Sequence, residues 1–306
     1  NPGDKGGIYV DAELGLVNRL GIEDTISNFE VYEGTSGSDE FSGKDTDTSI
    51  PIEYDALGYS YDNYEIFIGG AGDDIIDGEG GYDEVYFKNA THGLTIDLNF
   101  NHQEDGQGGI DDIQGIEGVE GTNFNDIILG TGEDNSLDGR LGDNFIDGRG
   151  GFDFVEYNGP NRTQLSVDLS VGEAEFSFQD GDQTYTDTLL NIEGVVGSRN
   201  DDIIVGNGST NKLYGADGND TISGLGGNDY LDGGLGDDTY IYGFDGVDVV
   251  TDAGGYDTLE ITSRTVDGER LFGDMFFNDV GQLVIEGRNS ADGMSVTSDG
   301  IDELHW

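Results

Sequence analysis

The chain has 306 residues, of which 65 are acidic and 12 are Lys or Arg, so its formal net charge is −53. This charge excludes a surface built to hold DNA or RNA and insertion into an anionic membrane, because both need clustered basic residues. The sequence has no cysteine, which excludes disulfides and thiolate metal sites, and no apolar stretch approaches the roughly 18 residues of a membrane span.

A nine-residue pattern, G-G-x-G-x-D-x-U-x with U apolar, recurs in three runs. An isolated unit, GTSGSDEFS, lies at 34–42. The first run follows a degenerate unit at 60–68 and reads GGAGDDIID and GEGGYDEVY over residues 69–86. The second run occupies 121–156, and the third run, 197–260, is the longest. A recurrence this regular indicates a repeat architecture in place of a disordered acidic chain.

Each unit predicts a six-residue turn followed by a three-residue strand whose middle side chain points inward, since glycine adopts backbone angles closed to other residues. One inward residue in nine buries little apolar area at about 25 cal/mol/Å², against ordering costs of ~1–2 kcal/mol per residue. A cation is therefore expected to complete the fold. Carboxylates and carbonyls, without cysteine, favour calcium over zinc or copper. The predicted inward residues are Ile76, Val85, Ile128, Leu137, Ile146, Val155, Ile204, Leu213, Ile222, Leu231, Tyr240, Val250 and Leu259.

The pattern resembles the calcium-binding nonapeptide of the RTX (repeats-in-toxin, haemolysin-type) family. The resemblance implies an all-β fold, a parallel β-roll or β-helix solenoid with Ca²⁺ between stacked loops and with flanking β strands. Two units make one turn, so loop n stacks on loop n+2. The resemblance also implies the ligands of each ion: carbonyls 2 and 4 and residue 6 of one loop, with carbonyls 1 and 3 and residue 6 of the other.

Carried over to this sequence, the resemblance pairs the residues at position 6 of the stacked loops and gives about six to eight ions. In the third run the pairing of Asp229 with Asp248 and of Asp238 with Asp257 is expected only if the extra residue Tyr242 is bulged out. Asparagine at position 6 is expected to keep an oxygen ligand and lose a charge, which predicts weaker binding by the second run. The predicted ligands are Tyr61, Asn63, Glu65, Gly78, Gly80, Asp83, Thr122, Phe124, Asp126, Thr131, Glu133, Asn135, Gly139, Leu141, Asn144, Gly148, Gly150, Asp153, Ser198, Asn200, Asp202, Asn207, Ser209, Asn211, Gly215, Ala216, Asp217, Gly218, Asp220, Gly224, Leu225, Gly226, Gly227, Asp229, Gly233, Gly234, Leu235, Gly236, Asp238, Gly243, Asp245, Asp248, Asp252, Gly254 and Asp257.

A second interpretation is that the aspartates only form solvated turns, since Asp and Gly are ordinary turn residues. This interpretation stays open above all for the unit at 34–42. In the first run only Glu65 and Asp83 are expected to pair.

A longer repeat surrounds the runs. The segments 24–43, 111–130 and 187–206 align without gaps, and each follows a strand-like segment, IYVDAEL, LTIDLNF or LSVDLSV. Alternating apolar and polar residues predict strands with one buried face. The predicted organisation is three modules and a C-terminal β segment, at 1–90, 91–161, 162–262 and 263–306.

No enzymatic motif stands out. There is no His-Glu-x-x-His pair, no Gly-x-Ser-x-Gly and no phosphate-binding loop, and the three histidines are far apart in sequence. We therefore expect no catalytic residues in this chain.

The expected function is multi-site calcium binding coupled to folding, in a secreted or cell-surface bacterial protein exported by a type I system. We expect an adhesin-type segment, monomeric, that binds calcium and could bind surface glycans or another protein. Two alternatives remain open. The chain could be the secretion and folding module of an exported enzyme or toxin, such as a protease, lipase, epimerase or lyase, whose catalytic part lies elsewhere. It could also be a catalyst that uses the strands between the runs.

Overall fold

The computed structural model describes residues 8–11, 16–19, 22–25, 31–43, 64–159, 162–178, 183–243 and 246–261, together with short strands between 265 and 305. No helix occurs in these residues, so the expected all-β class is confirmed. Likewise, no described helix is long and apolar enough to cross a bilayer. The chain divides into two compact units, Asn1–Asp153 and Phe154–Trp306.

The first unit is built from short strands. They are β1 (Ile8–Asp11), β2 (Leu16–Arg19), β3 (Ile22–Thr25), β4 (Val31–Glu33), β5 (Glu40–Ser42), β6 (Tyr64–Ile68), β7 (Ile75–Asp77), β8 (Tyr82–Tyr86), β9 (Thr95–Asp97), β10 (His102–Glu104), β11 (Ile110–Gln114), β12 (Gly118–Glu120), β13 (Ile127–Leu129), β14 (Ser136–Asp138) and β15 (Phe145–Asp147).

The second unit continues the same style. Its strands are β16 (Phe154–Glu156), β17 (Arg162–Asp168), β18 (Glu173–Phe178), β19 (Thr184–Leu190), β20 (Gly194–Val196), β21 (Ile203–Val205), β22 (Lys212–Asp217), β23 (Thr221–Ser223), β24 (Tyr230–Leu235), β25 (Thr239–Tyr242), β26 (Val247–Thr251), β27 (Thr258–Ile261), β28 (Thr265–Val266), β29 (Glu269–Arg270), β30 (Asp274–Phe277), β31 (Leu283–Glu286), β32 (Gly293–Val296) and β33 (Glu303–His305).

Strands of alternate repeats stack in parallel, which confirms that loop n lies on loop n+2. In the second unit β21 pairs with β23 and β23 with β25, with Ile204 opposite Ile222 and Ile222 opposite Tyr240. The intervening repeats form the other sheet, in which β20, β22, β24 and β26 follow one another. The first unit has the same arrangement, in which β6, β8, β12 and β14 stack in parallel. The result is a parallel β-roll.

The core of each roll is a single file of inward side chains from each sheet. All thirteen predicted inward residues are at most 1% exposed, which confirms the assignment. The outward residue before each of them is often exposed, as Ile203 and Ile127 are. Apolar burial therefore centres on one position per repeat, with a second buried side chain in some repeats, such as Phe154 beside Val155 and Tyr214 beside Leu213.

Antiparallel strands flank the runs, as the sequence predicts. β17, β18 and β19 form an antiparallel meander, and β17 also pairs in parallel with β21. β1, β2 and β3 form a similar meander, on which β5 lies in parallel. Within the segment 263–306, β30 and β31 form an antiparallel pair.

The runs do not end where the nonapeptide pattern ends. β8 of the first run pairs with β12, and β16 pairs with β20, so each run continues into the coil that follows it. Strands from residues 1–90 and 91–161 therefore share sheets. The three-module division stays a prediction about how the sequence repeats.

Tyr242 is not bulged out, so the condition set for pairing Asp229 with Asp248 and Asp238 with Asp257 is wrong, although both pairs form. Tyr242 extends β25, opposite Ile261 of β27, and its side chain is buried with its hydroxyl donating to the carbonyl of Gly246 at 3.2 Å. The extra residue lengthens the strand, and the following loop resumes the stack at a spacing of 19 residues, with Tyr230 opposite Val249.

Candidate calcium-binding loops

The residues at position 6 of stacked loops form a hydrogen-bonded ladder. In the third run the backbone N–H of Asp202 donates to Oδ1 of Asp220 at 2.8 Å, and that of Asp220 donates to Oδ1 of Asp238 at 2.7 Å. The ladder continues from Asp238 to Asp257, and the other sheet has a matching ladder through Asn211, Asp229 and Asp248. One oxygen of each carboxylate thus joins a loop to the loop before it.

The second carboxylate oxygen has a different environment. Asp220 and Asp238 are each 1% exposed, and among the described residues Oδ2 of each has no hydrogen-bond partner. A Cβ built on Gly215 would collide with Asp220 Oδ2 and lie 2.6 Å from the carbonyl oxygen of Gly233. A carboxylate oxygen and a carbonyl oxygen from two loops therefore converge where position 1 has no side chain.

The predicted carbonyl ligands also converge between the loops. Cβ atoms built on Gly234 and Gly236 would collide with the carbonyl oxygens of Ala216 and Gly218, which point from the lower loop toward the upper one. The carbonyl of Leu235 points back and accepts the N–H of Gly218 at 2.8 Å. A carbonyl oxygen has a second lone pair, so this bond leaves it able to accept another partner. The structure thus places these residues in two stacked loops, and their assignment to a single ion stays a prediction.

Two kinds of loop can be distinguished by their position 2. In five of the described loops, which we call capped, the N–H of residue 2 donates to the side chain of residue 6 at 2.5–2.8 Å. In the loops that we call open, residue 2 is left-handed, as in Ala216 (φ 83°) and Gly234 (φ 94°). Sequence analysis missed this distinction, although Thr, Ser or Asn at position 2 signals it. The capped loops pair Thr35 with Asp39, Thr122 with Asp126, Thr131 with Asn135, Ser198 with Asp202 and Asn207 with Asn211.

The structure places Asn135 and Asn211 in capped loops, and the expectation that each is a weakened calcium ligand stays a prediction. Each has Oδ1 bonded to its own capped loop, and its Nδ2 donates to the carbonyl of Glu117 or Glu193 below, at 3.0 and 3.1 Å. A carboxylate could not donate to that carbonyl. The amide of each asparagine therefore satisfies a backbone carbonyl of the preceding coil, at the first turns of the stack.

The side-chain amide of Asn144 has a different arrangement of hydrogen bonds. Its Oδ1 accepts the N–H of Asp126 at 2.9 Å, which fixes the orientation of the amide, since an N–H must meet an acceptor. Its Nδ2 then lies 2.5 Å from a Cβ built on Gly139, where the open loops place Oδ2. A donor thus replaces the oxygen that would face a cation.

Burial raises the pKa of the aspartates in the open loops. The pKa of Asp220 rises from its usual 3.8 to about 8, chiefly through burial and further through the charges of Asp202 and Asp238, although the Asp202 N–H opposes the shift. Burial likewise raises the pKa of Asp238 to about 7 and that of the capped Asp202 to about 6. In the first run, burial and the charge of Glu65 raise the pKa of Asp83 to about 8. Among the described residues, none of these four carboxylates forms an ion pair with a Lys or Arg side chain.

The last described loop of the third run holds an additional carboxylate. Asp252 occupies position 1, where other loops have glycine, and one carboxylate oxygen each of Asp238, Asp252 and Asp257 lie within 4.8 Å of one another. The phenol of Tyr240 donates to Asp252 Oδ2 at 2.6 Å, and the N–H of Gly254 donates to Oδ1 at 2.8 Å. Sequence analysis named Asp252 only as a position-1 residue and did not foresee that its carboxylate joins the pair.

The remaining predicted ligands are placed as follows. Glu65 lies opposite Asp83 in paired strands, Asp126 bonds to Asn144, and Asn135 bonds to Asp153, so the three predicted pairs outside the third run are brought together. The predicted ligands Tyr61, Asn63 and Asp245 lie outside the described residues. The assignment of individual ligands to ions stays a prediction.

The open loops fit calcium. Buried carboxylate oxygens without a hydrogen-bond partner and inward carbonyls form an all-oxygen donor set, and Ca²⁺ takes six to eight oxygens at about 2.3–2.6 Å in flexible geometry. When bound, the ion would supply the positive charge that the stacked carboxylates lack. The residues of the chain supply the spacing, through the ladder and the left-handed turns.

The stacked loops form a parallel β-roll, and a comparison with known protein families recognises the repeat. The model of the RTX calcium-binding nonapeptide repeat matches four times, at residues 65–86, 120–155, 195–221 and 205–240. The chain thus carries RTX calcium-binding repeats in all three runs, as the sequence pattern predicts.

Two further comparisons give less. The extracellular lipase LipA from Serratia marcescens is similar to this chain in its solved structure, at 15% identity and a TM-score of 0.23. The match covers 62% of this chain and 39% of the lipase, so the chain spans well under half of that protein. The search of curated proteins found no match.

We predict that Asn144→Asp creates a calcium ligand in the second run. The aspartate would keep Oδ1 for the Asp126 N–H and present Oδ2 where Nδ2 now lies, adding a charge as well. Equilibrium dialysis should show at least one more bound ion, or the same ion at lower free calcium. The control is Asn125→Asp, which adds the same charge at an exposed position. Equal effects of the two variants would contradict the predicted geometry.

We also predict that acid replaces calcium in part. Because the pKa of Asp220 is higher in the folded chain than its usual 3.8, the cation-free fold binds more protons than the unfolded chain. The stability from this group is therefore present below about pH 4 and is lost as pH rises toward about 8. In excess chelator, the β signal in circular dichroism should increase when pH falls from 8 to 5.

The matched variants for this prediction are Asp220→Asn and Asp217→Asn. Both remove one carboxylate, but Asp217 is exposed, whereas asparagine at 220 mimics the protonated acid. In chelator, Asp220→Asn should keep its β signal to a higher pH than Asp217→Asn. A β signal in chelator that is constant with pH, or that rises with pH, would show that the buried carboxylates do not limit folding.

Proposed function

We propose that the chain is a calcium-responsive folding array, in which ions bound between stacked open loops convert an expanded acidic chain into a β-roll. The observation that carries this proposal is the buried Oδ2 of Asp220 and Asp238, each set against carbonyl oxygens of a neighbouring loop. Burying a charged oxygen without a partner is costly, so a bound cation would shift the equilibrium strongly toward the folded state.

The charge of the chain supports the coupling to folding. At a net charge of −53, an unfolded chain repels itself and stays expanded. About six to eight divalent ions, the number obtained by loop counting, would reduce that charge by roughly 12 to 16. The neutralisation would take place mainly at the stacked aspartates, where the ions would bind.

We further propose that the parent protein is secreted or displayed on a bacterial surface and leaves the cell through a type I system. RTX repeats are typical of such exports. An unfolded, strongly acidic chain suits passage through a narrow channel at low cytoplasmic calcium, and folding would follow at millimolar calcium outside. The absence of cysteine from the sequence makes this folding independent of disulfide formation.

Within that setting we propose an adhesin-type segment. Repetition of a strand meander followed by a calcium run is typical of arrays that space or present a binding region, and such a segment would act as a monomer toward surface glycans or proteins. The matching of RTX repeats also fits the secretion and folding module of an exported enzyme. Glycan-array binding by the calcium-loaded chain would favour the first role, whereas a catalytic domain in the same reading frame would favour the second.

We predict that folding requires calcium and that magnesium does not replace it. In excess chelator at pH 8 the chain should give a disordered far-ultraviolet circular dichroism spectrum, and several millimolar calcium should give a β-rich, compact protein. Magnesium demands near-ideal octahedral geometry and dehydrates reluctantly, so it suits these loops poorly. A protease-resistant β protein in chelator, or equal ordering by both ions at equal concentration, would overturn the proposed function.

A further inference from the structure

A third stack of loops lies in the first unit, assembled from segments far apart in sequence. The isolated unit 34–42, the unit 69–77 and the segment GQGGIDDIQ at 106–114 stack through β5, β7 and β11. Ile76 lies opposite both Phe41 and Ile113, and all three side chains are buried. The RTX repeat model covers only the middle unit of this stack.

Sequence analysis missed this stack because the segment 106–114 changes the pattern. Its glycines fall at positions 1, 3 and 4 in place of 1, 2 and 4. The unit 34–42 stood alone in sequence, so it had no visible partner. The expectation that only Glu65 and Asp83 pair in the first run is therefore wrong.

The stack has the same carboxylate ladder as the third run. The N–H of Asp39 donates to Oδ1 of Asp74 at 2.7 Å, and the N–H of Asp74 donates to Oδ1 of Asp111 at 3.0 Å. Asp39 belongs to a capped loop, whereas the loop of Asp74 is open, with Gly70 at φ 93°. One oxygen of Asp74 and of Asp111 is thus used to join the loops.

The other oxygens converge on one point. Asp74 is 1% exposed, and its Oδ2 has no hydrogen-bond partner among the described residues. A Cβ built on Gly69 would lie 2.7 Å from Asp74 Oδ2 and 3.2 Å from Asp111 Oδ2. Two carboxylate oxygens from different loops therefore face the same small space, and one of them is buried without a partner.

A third aspartate borders the same loops. Asp105 is buried, and its Oδ1 accepts the N–H groups of Gln107, Gly108 and Gly109 at 2.6–2.8 Å. These bonds shape the loop that carries Asp111. Its Oδ2 accepts the N–H of Gly72 at 3.3 Å, which ties this loop to the loop of Asp74. Burial, with the nearby like charges, raises the pKa of Asp111 to about 8.

We infer that Asp74 and Asp111 bind a calcium ion between the loops 69–74 and 106–111, with Asp105 as the positioning residue of the upper loop. This inference rests on the proposed function, since it applies the same all-oxygen chemistry to a stack outside the matched repeats. The ion would link segments about 37 residues apart, and so would fix the strands β7 and β11 that they precede.

The test is to count bound calcium in the full chain by equilibrium dialysis. Asp74→Asn should bind one ion fewer than the wild type, because asparagine keeps Oδ1 for the ladder and loses the second oxygen. Asp73→Asn is the control, since it removes the same charge from an exposed neighbour. Asp111→Asn should lose the same ion by removing the ligand of the other loop. Equal ion counts for Asp74→Asn and Asp73→Asn, at every free calcium concentration, would overturn the inference.

A reference variant separates this inference from the proposed function. Asp220→Asn should lose at least one ion from the third run. If it does and Asp74→Asn does not, only the additional site is wrong, whereas if neither variant loses an ion, calcium binding by stacked loops is wrong altogether.

A second measurement does not depend on how the variants fold. In crystals of the wild-type chain grown with terbium, an anomalous peak should lie beside Oδ2 of Asp74 and of Asp111. Peaks along the Asp220 column with none at Asp74 would contradict the additional site.

Discussion

In the open loops of this protein, the two oxygens of each position-6 carboxylate have different environments. The stacking of the β-roll depends on the hydrogen bond that Oδ1 accepts and on what compensates the charge at Oδ2. Oδ1 accepts a backbone N–H from the loop below, as in the bond from Asp202 to Asp220, and so sets the spacing of the turns. Oδ2 of Asp220 is buried against its own position-1 glycine without a hydrogen bond among the described residues. Stacking such loops brings like charges together, and an added cation or an added proton relieves that repulsion.

The protein relieves part of this cost without a cation. In the capped loops, Ser198 and Thr122 donate both a backbone N–H and a hydroxyl to Asp202 and Asp126. Asn135 and Asn211 go further, since their amides meet a carbonyl below as well. These loops lie at the start of the second and third runs, next to the flanking strands. In these two runs the capped loops therefore come first, and the open loops follow them.

The inward residues and the stacking of alternate loops could be predicted from the sequence because a nine-residue period fixes both. Ile222 and Leu213 are buried for that reason. The roles of Asn211 and Asn144 could not be predicted, since each depends on which backbone group lies beneath, a carbonyl or an N–H. The stack of Asp39, Asp74 and Asp111 was equally out of reach, because its loops are separated by non-repeating sequence and one of them shifts a glycine. The position of Tyr242 could not be predicted, because an extra residue can either bulge out of a strand or lengthen it, as Tyr242 does.

We propose that cations bound at the stacked carboxylates hold the loops together. Amide hydrogen exchange tests this directly, because it measures the protection of each backbone N–H group. The ladder amides of Asp202, Asp220, Asn211 and Asp229 donate directly to the position-6 side chains. We expect these amides to be strongly protected in millimolar calcium and to exchange at unfolded-chain rates in chelator at pH 8. Protection of the same amides in chelator at pH 8 would contradict the proposal.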